Sequence, residues 1–322
     1  MEKRPRTRRS PEPTTATDAA RPRYDPDTIP GLTAASPIRK RVPQMAAKKL
    51  KASERSTFVG KLATTLKKRY GSSVPAPAVE RDVLQTLLYA ALLEEGTDEP
   101  AELAYTRLTE SFHDLNEVRV SSIREIERVL QPLPASDWRS LRIKDALQHI
   151  FELNYNYDLE SLRKKNQDQA SGELGEIPRT TPYMKLYVLQ VGLGNHAVPV
   201  DHHQLALLRW LGLTEPDATE EQAAADLKSA VRKSDGPLVA YLLRSVANEP
   251  GVLAVTLPAM TEEPDAEAAS IDPKTRMKEL DELLDGKAPK KAAKKTAPAA
   301  KKTAKKATKK AAKKAVRKKA AT

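Results

Sequence analysis

Near the C-terminus lysines come in pairs, at Lys290 and Lys291, Lys294 and Lys295, Lys301 and Lys302, Lys305 and Lys306, Lys309 and Lys310, Lys313 and Lys314, and Lys318 and Lys319. Most pairs recur every four residues against a background of Ala and Thr. Ammonium groups at that density neutralise phosphates and release the counterions condensed on a polyanion, so affinity grows with every phosphate contacted. From Gly286 to Thr322 the chain holds 16 Lys and Arg and no acid, which points to DNA as the partner, with RNA open to the same charges. The pattern carries no sequence preference. Like charges four apart disfavour helix in water, so the free tail is expected to be disordered. On DNA the phosphates would cancel that repulsion, and the Ala-rich spacers could then wind the pairs into a slowly drifting stripe.

Elsewhere the reactive residue types are sparser. Arg163, Lys164 and Lys165 form the densest basic cluster, which fits a DNA backbone or a solvated loop equally well. Asp201 follows Pro199-Val200 and precedes Leu205, Leu207, Leu208, Trp210 and Leu211, a position from which a carboxylate caps a helix. His202 and His203 are adjacent, so their rings diverge at a helix start, and no third ligand is spaced to complete a metal site. Tyr155 and Tyr157 could stack on bases, although packing is the commoner use. Gly192-Leu193-Gly194 is too short for a nucleotide loop and reads as a helix end. There is no cysteine, which excludes disulfides, Cys-ligated zinc, iron–sulfur clusters and Cys nucleophiles; no cofactor is expected.

Helices must position these residues. Phe58, Val59, Leu62, Leu66 and Tyr70 keep helical spacing until Gly71. Val79, Val83, Leu84, Leu87, Leu88, Ala91 and Leu92 make a broad apolar face, the mark of a central buried helix. Pro100 opens a helix carrying Leu103, Leu108 and Phe112. Ser122 with Glu125, and Thr219 with Gln222, spell capping boxes. Ser136 is expected to cap a helix bearing Trp138, Leu141, Leu147, Ile150 and Phe151. Pro182 starts another, Gly236-Pro237 a third, and Met277, Leu280, Leu283 and Leu284 suit a short last one. No alternating strand is evident, so the body is predicted all-α.

Charge divides the 322 residues further. Residues 1–55 hold 14 basic and 6 acidic side chains, net +8; residues 56–285 hold 25 and 37, net −12; the tail is +16. An acidic body between basic arms differs from a uniformly basic domain, because the arms supply the non-specific electrostatics. The expected organisation is a disordered basic arm at 1–43, a helical body at 44–258, an acidic linker with a short helix at 259–285, and the basic tail at 286–322. The first thirty residues are basic and Pro-rich with no apolar run behind them, and nothing approaches a membrane-spanning length. The expected location is the cytoplasm, at the nucleoid, with no membrane partner.

The segment Ile177 to Leu213 resembles the helix-hairpin-helix DNA glycosylase superfamily of the endonuclease III type. Ile177-Pro178 matches the start of that family's hairpin, Val200-Asp201-His202-His203 its Val-Asp-Thr-His motif, and Trp210-Leu211-Gly212-Leu213 the end of the following helix. Leu92 to Asp98 matches the Leu-Ser-x-Gln-x-Thr-Asp stretch after its first buried helix. Helix order agrees from about Phe58 to Ala247. The resemblance implies a two-lobed glycosylase-like body. It makes Asp201 the catalytic carboxylate, which stabilises oxocarbenium-like charge or activates water as a flipped base leaves. The family's hairpin glycines are Arg179 and Thr181 here, so either the hairpin has another shape or Arg179, Thr180 and Thr181 meet phosphate through side chains. The family's lyase lysine aligns with Tyr183, and Lys185 lies about 200° further round the helix, so imine chemistry is not expected. The family's wedge glutamine aligns with Glu95. The tail resembles in composition the C-terminal tail of linker histones.

Three readings follow. The chain is a DNA glycosylase without lyase activity, anchored by its tail; or an inactive protein of that fold binding DNA architecturally; or a helical body that holds a protein partner while the tail localises it.

Overall fold

The computed structural model describes residues 51–76, 80–261 and 272–286. The lysine pairs, the N-terminal arm and Val79 lie outside them.

Helix α1 (Ala52–Tyr70) buries Phe58, Val59, Leu62 and Leu66, and ends where Gly71 takes φ 96°, a value that favours glycine. In α2 (Val83–Leu93) every residue but Gln85 is buried. A helix apolar all round belongs inside a fold, and each enclosed leucine contributes about 1.5–3 kcal/mol relative to exposure. Against it pack α3 (Asp98–Ser111) and α6 (Ser136–Asn154), and on these pack α4 (Leu115–Val120) and α5 (Ile123–Leu130). A 3-10 turn (Glu160–Lys164) leads to α7 (Gln167–Glu176) and α8 (Pro182–Tyr187), which runs on as a π turn through Gly192. Then come α9 (His202–Trp210), α10 (Glu220–Ala230), α11 (Gly236–Ala247), α12 (Pro250–Thr256), α13 (Pro258–Thr261) and α14 (Pro273–Leu284). No strand occurs among the described residues.

Two hydrophobic cores result. One gathers α2 to α8; the other joins α1 to α9–α12 and Leu280 of α14. The chain thus leaves the second lobe after α1, builds the first, and returns. Ala197 belongs to the first core and Val198 to the second, so the crossing lies three residues before Asp201.

Several expectations need correction. Ser136 is the first residue of α6 rather than its cap; Ala135 is the cap, with φ 49°. Trp138 is 55 % exposed and Leu103 is 48 % exposed, so neither is core. In α3 the buried face is instead Ala101, Ala104, Tyr105 and Leu108.

Candidate active site at the lobe junction

Asp201 is fully buried and caps α9. Its Oδ1 accepts the N–H of Gln204 at 2.8 Å, and Gln204 Oε1 accepts the Asp201 N–H at 2.9 Å. Its Oδ2 accepts the N–H of Glu95 at 3.0 Å. The last bond crosses from the second lobe to the loop after α2. Burial pushes the Asp201 carboxyl above its usual value, and the Gln204 and Glu95 N–H groups pull it back.

The loop that Asp201 holds is fixed from several sides. Glu95 carries φ 55°, a left-handed value in a non-glycine residue. Asn248 donates to the Gly96 carbonyl at 3.1 Å and meets His203 Nδ1 at 2.9 Å. Arg244, buried in α11, donates from one nitrogen to both oxygens of Asp98 at 2.6 and 2.7 Å. From α6, Arg139 donates to the carbonyls of Ala91 at 2.9 Å and Glu94 at 2.8 Å, closing the C-terminal end of α2. Arg142 pairs with the Glu94 carboxylate. Burial raises Glu94 while Arg142 opposes it. Glu220, in the first turn of α10, is raised to about 7 by burial first and then by Glu94, Asp201 and Glu95.

Beside this junction α7 and α8 form the expected hairpin. The left-handed turn sits at Arg179, φ 60°, and the Thr180 N–H donates to the Ile177 carbonyl at 3.2 Å. Thr181 is extended, φ −81°, and caps α8 by accepting the Met184 N–H at 3.1 Å. Only one of the two positions where the resembled family has glycine therefore takes positive φ here, and arginine meets it. The Arg179 side chain donates to Asp145 Oδ2 at 2.6 Å and lies 5.8 Å from the Trp138 ring. Among the described residues the buried Thr180 hydroxyl makes no hydrogen bond, and the buried Tyr183 phenol lies close to Arg244. Lys185 Nζ donates to Glu221 Oε1 at 2.9 Å.

The basic cluster is engaged locally. Arg163 donates to the Gly192 carbonyl at 2.6 Å and Lys165 to Glu173 at 2.5 Å, while Lys164 is exposed. None of the three bonds to the Asp201 group. His202 is exposed, and among the described residues no three His, Cys, Asp or Glu side chains are grouped to hold a metal. Tyr155 is 81 % exposed at the end of α6, and Tyr157 stacks on Phe151. Sequence reading missed Glu94, Arg142 and Glu220 around Asp201, and placed Trp138 among the apolar helix residues. The helix spacing of Trp138 pointed inward, whereas it is exposed.

No protein-family model matches the chain, and no curated protein matches it in sequence. Solved structures do. A non-covalent endonuclease III–DNA complex aligns with a TM-score of 0.50 and 16 % identity, covering 69 % of this chain and 98 % of that one. A trapped endonuclease III–DNA covalent intermediate gives 0.47 and 16 %, covering 59 % and 84 %. A Clostridium acetobutylicum 8-oxoguanine glycosylase/lyase with DNA gives 0.46 and 13 %, covering 61 % and 70 %. The chain has the all-α, helix-hairpin-helix glycosylase-like fold.

Proposed function

We propose that this chain is a DNA-binding protein of the base-excision glycosylase type. It would release a base without cutting the strand, with the lysine-rich tail holding the phosphate backbone. The observation that carries this reading is the placement of Asp201. It is a buried carboxylate at the N-terminus of α9, where the lobes meet and beside the hairpin. A negative charge held there by fixed N–H groups can favour positive charge developing on a sugar as a base departs. Strand cleavage through an imine needs an amine, and the matching position is Tyr183, while Lys185 is bonded to Glu221. The fold shared with endonuclease III is consistent with DNA as the ligand.

A second reading, an inactive DNA-binding protein of the same fold, is favoured by one feature of the same residue: Asp201 has no exposed surface, and each oxygen already accepts an N–H. Base release from a panel of duplexes bearing damaged or mispaired bases decides between them. The glycosylase reading expects release by the wild type and none by Asp201→Asn at unchanged DNA affinity. Binding without release from any duplex supports the second reading.

A further inference from the structure

The first turn of α3 faces the ends of α1 and α11 across an open cleft of about 550 Å³. Its walls carry two tyrosines, Tyr70 and Tyr241, and four carboxylates, Asp98, Glu99, Glu102 and Glu249. Three of the carboxylates are held in place. Arg244 holds Asp98, Arg81 holds Glu102 at 2.5 Å, and Glu249 accepts the Tyr70 hydroxyl at 2.9 Å with Arg69 at 3.9 Å. The side chains of Arg244 and Arg81 are 5 % and 8 % exposed, whereas the acids they hold are 30 % and 27 % exposed and so face the solvent. Glu99 is exposed and, among the described residues, takes part in neither a hydrogen bond nor an ion pair. Leu103, one turn along α3 from Glu99, and Val74, next to Pro75 of the cleft wall, are exposed apolar side chains. The basic tail leaves the body beside this cleft. Helix α14 packs on α12, and a Cβ placed on Gly251 would lie 3.6 Å from the Leu283 carbonyl. Glu249 is two residues before Gly251, and Gly286, the last described residue, is three after Leu283. The nine residues from Gly286 to Lys295 can span up to about 30 Å, which puts their lysines within reach of Glu249.

We propose that the cleft seats the chain's own tail: without DNA, the ammonium groups of Lys290 to Lys306 lie against its carboxylates and tyrosine rings, and DNA phosphates draw them away. The docking does not need the base-excision reading; its release by DNA rests on the reading of the tail as the DNA anchor. Ionised carboxylates only accept hydrogen bonds and an ammonium only donates them, so the two sets are complementary. Each carboxylate keeps lone pairs beyond the bond that holds it. Tyrosine faces attract cations as well, and Arg69 and Arg244 already lie 5.9 Å from the Tyr70 and Tyr241 rings. Glu99 and Leu103, four apart on α3, pair a charge with an apolar side chain, as the Lys pairs and Ala spacers of the tail do. Exposed ion pairs are individually weak, so a polyanion of higher charge density displaces the tail from the body. While docked, the tail is withheld from phosphate, and apparent DNA affinity is reduced to the undocked fraction.

The test couples carboxylates to amines in contact with them, using a zero-length carbodiimide on the full chain, and maps the links by mass spectrometry. Links from the tail lysines are expected at Glu99, Glu102 and Glu249, and should vanish when duplex DNA is added or when salt is raised to about 1 M. Links scattered over the acids of the whole body, or none, overturn the inference. A covalent dimer would assign the cleft to a neighbouring chain's tail and overturn the seat within one chain. The second arm measures DNA affinity of Glu99→Gln combined with Glu249→Gln, in the full chain and in a chain lacking residues 287–322. The variant should bind DNA about threefold or more tightly in the full chain and be unchanged without the tail. An equal gain in both chains would mean that these acids repel DNA directly, which overturns the inference. Thermal unfolding confirms that the variants fold. Links confined to the cleft but indifferent to DNA overturn the competition alone. Tail deletion that leaves DNA affinity unchanged overturns it together with the reading of the tail as the anchor.

Discussion

Asp201 Oδ2 accepts the backbone N–H of Glu95 across 106 positions of chain, and so one carboxylate both starts α9 and pins the left-handed loop of the other lobe. The two bonds explain why the same residue serves a cap and a candidate site. A carboxylate fixed by N–H groups that cannot follow its proton is held in one orientation, and any charge it stabilises costs little reorganisation.

Replacing Asp201 should therefore be felt in stability as well as in activity. Asp201→Ala removes the cap and leaves the Glu95 N–H unpaired in a part-buried site. The expected loss is about 2–4 kcal/mol by denaturant unfolding, the sum of a lost cap and an orphaned donor. Asp201→Asn keeps one acceptor but turns an amide NH2 toward the other N–H, and should cost less. A loss under about 0.5 kcal/mol for Asp201→Ala would contradict the bonding described.

Asp98 and Arg244 make a further tie between the lobes. Arg244 is 4 % exposed, so removing its partner strands a buried charge. Asp98→Ala is expected to destabilise by about 3 kcal/mol or more, whereas the double variant Asp98→Ala with Arg244→Met should recover much of the loss. Unfolding measurements on the two variants check this, and equal losses would show that the pair is not the cause.

Much of the fold could be read from the chain because local chemistry and tertiary structure agree there. Ser122 with Glu125 and Thr219 with Gln222 form the boxes that their spacing spells, and Asp201 caps where its position said it would. Helix α7 escaped because Gln167–Glu176 offers only Ala170 and Leu174 to a core. Trp138 misled because an aromatic at helical spacing usually faces inward, and here it lies under the hairpin arginine at the surface. The Glu94–Arg142 pair joins residues 48 positions apart, a distance no local pattern reports. Nor does periodicity reveal that α1 packs with α10 and α11 rather than with α2, since any apolar stripe fits either lobe.

The pH dependence of stability should carry the mark of Glu220. Its folded value of about 7 lies above the ordinary 4.5, so the folded state holds the proton more tightly than the unfolded chain. That contribution is complete below the unfolded value and is lost as pH rises through about 7. Glu94 and Asp201 are shifted upward too, and act in the same sense. Thermal unfolding from acid to alkaline buffer should show wild type losing stability across that window and Glu220→Gln losing less. Parallel curves would show that Glu220 does not titrate there.

Salt titration of DNA affinity separates the tail from the body. Deleting residues 286–322 should cut non-specific affinity by orders of magnitude and flatten the slope of log K against log salt, by about 0.9 for each phosphate no longer neutralised. Asp145→Ala should act the other way in the body. It frees Arg179, now bonded to Asp145, for a phosphate at the hairpin, and should steepen the slope by about 0.9. An unchanged slope after tail deletion would mean that DNA is held by the body alone.

Borohydride trapping tests the chemistry of the hairpin. Reduction captures a covalent adduct only where an amine has formed an imine with the sugar carbon. At the position where the family pattern has its lysine, Tyr183 offers a buried phenol, which burial raises well above its usual range and which has no nitrogen to donate. Lys185 is bonded to Glu221 and stands about 200° further round α8, so its ammonium points away from the Tyr183 direction. Incubation of the full chain with an abasic or base-mispaired duplex and borohydride is expected to give no cross-linked species, and any base release should leave the strand intact until alkali is added. Lys185→Ala should change neither result. A cross-link that disappears in Lys185→Ala would mean that α8 turns to bring the amine to the sugar, and the assignment to release without strand cleavage would fall.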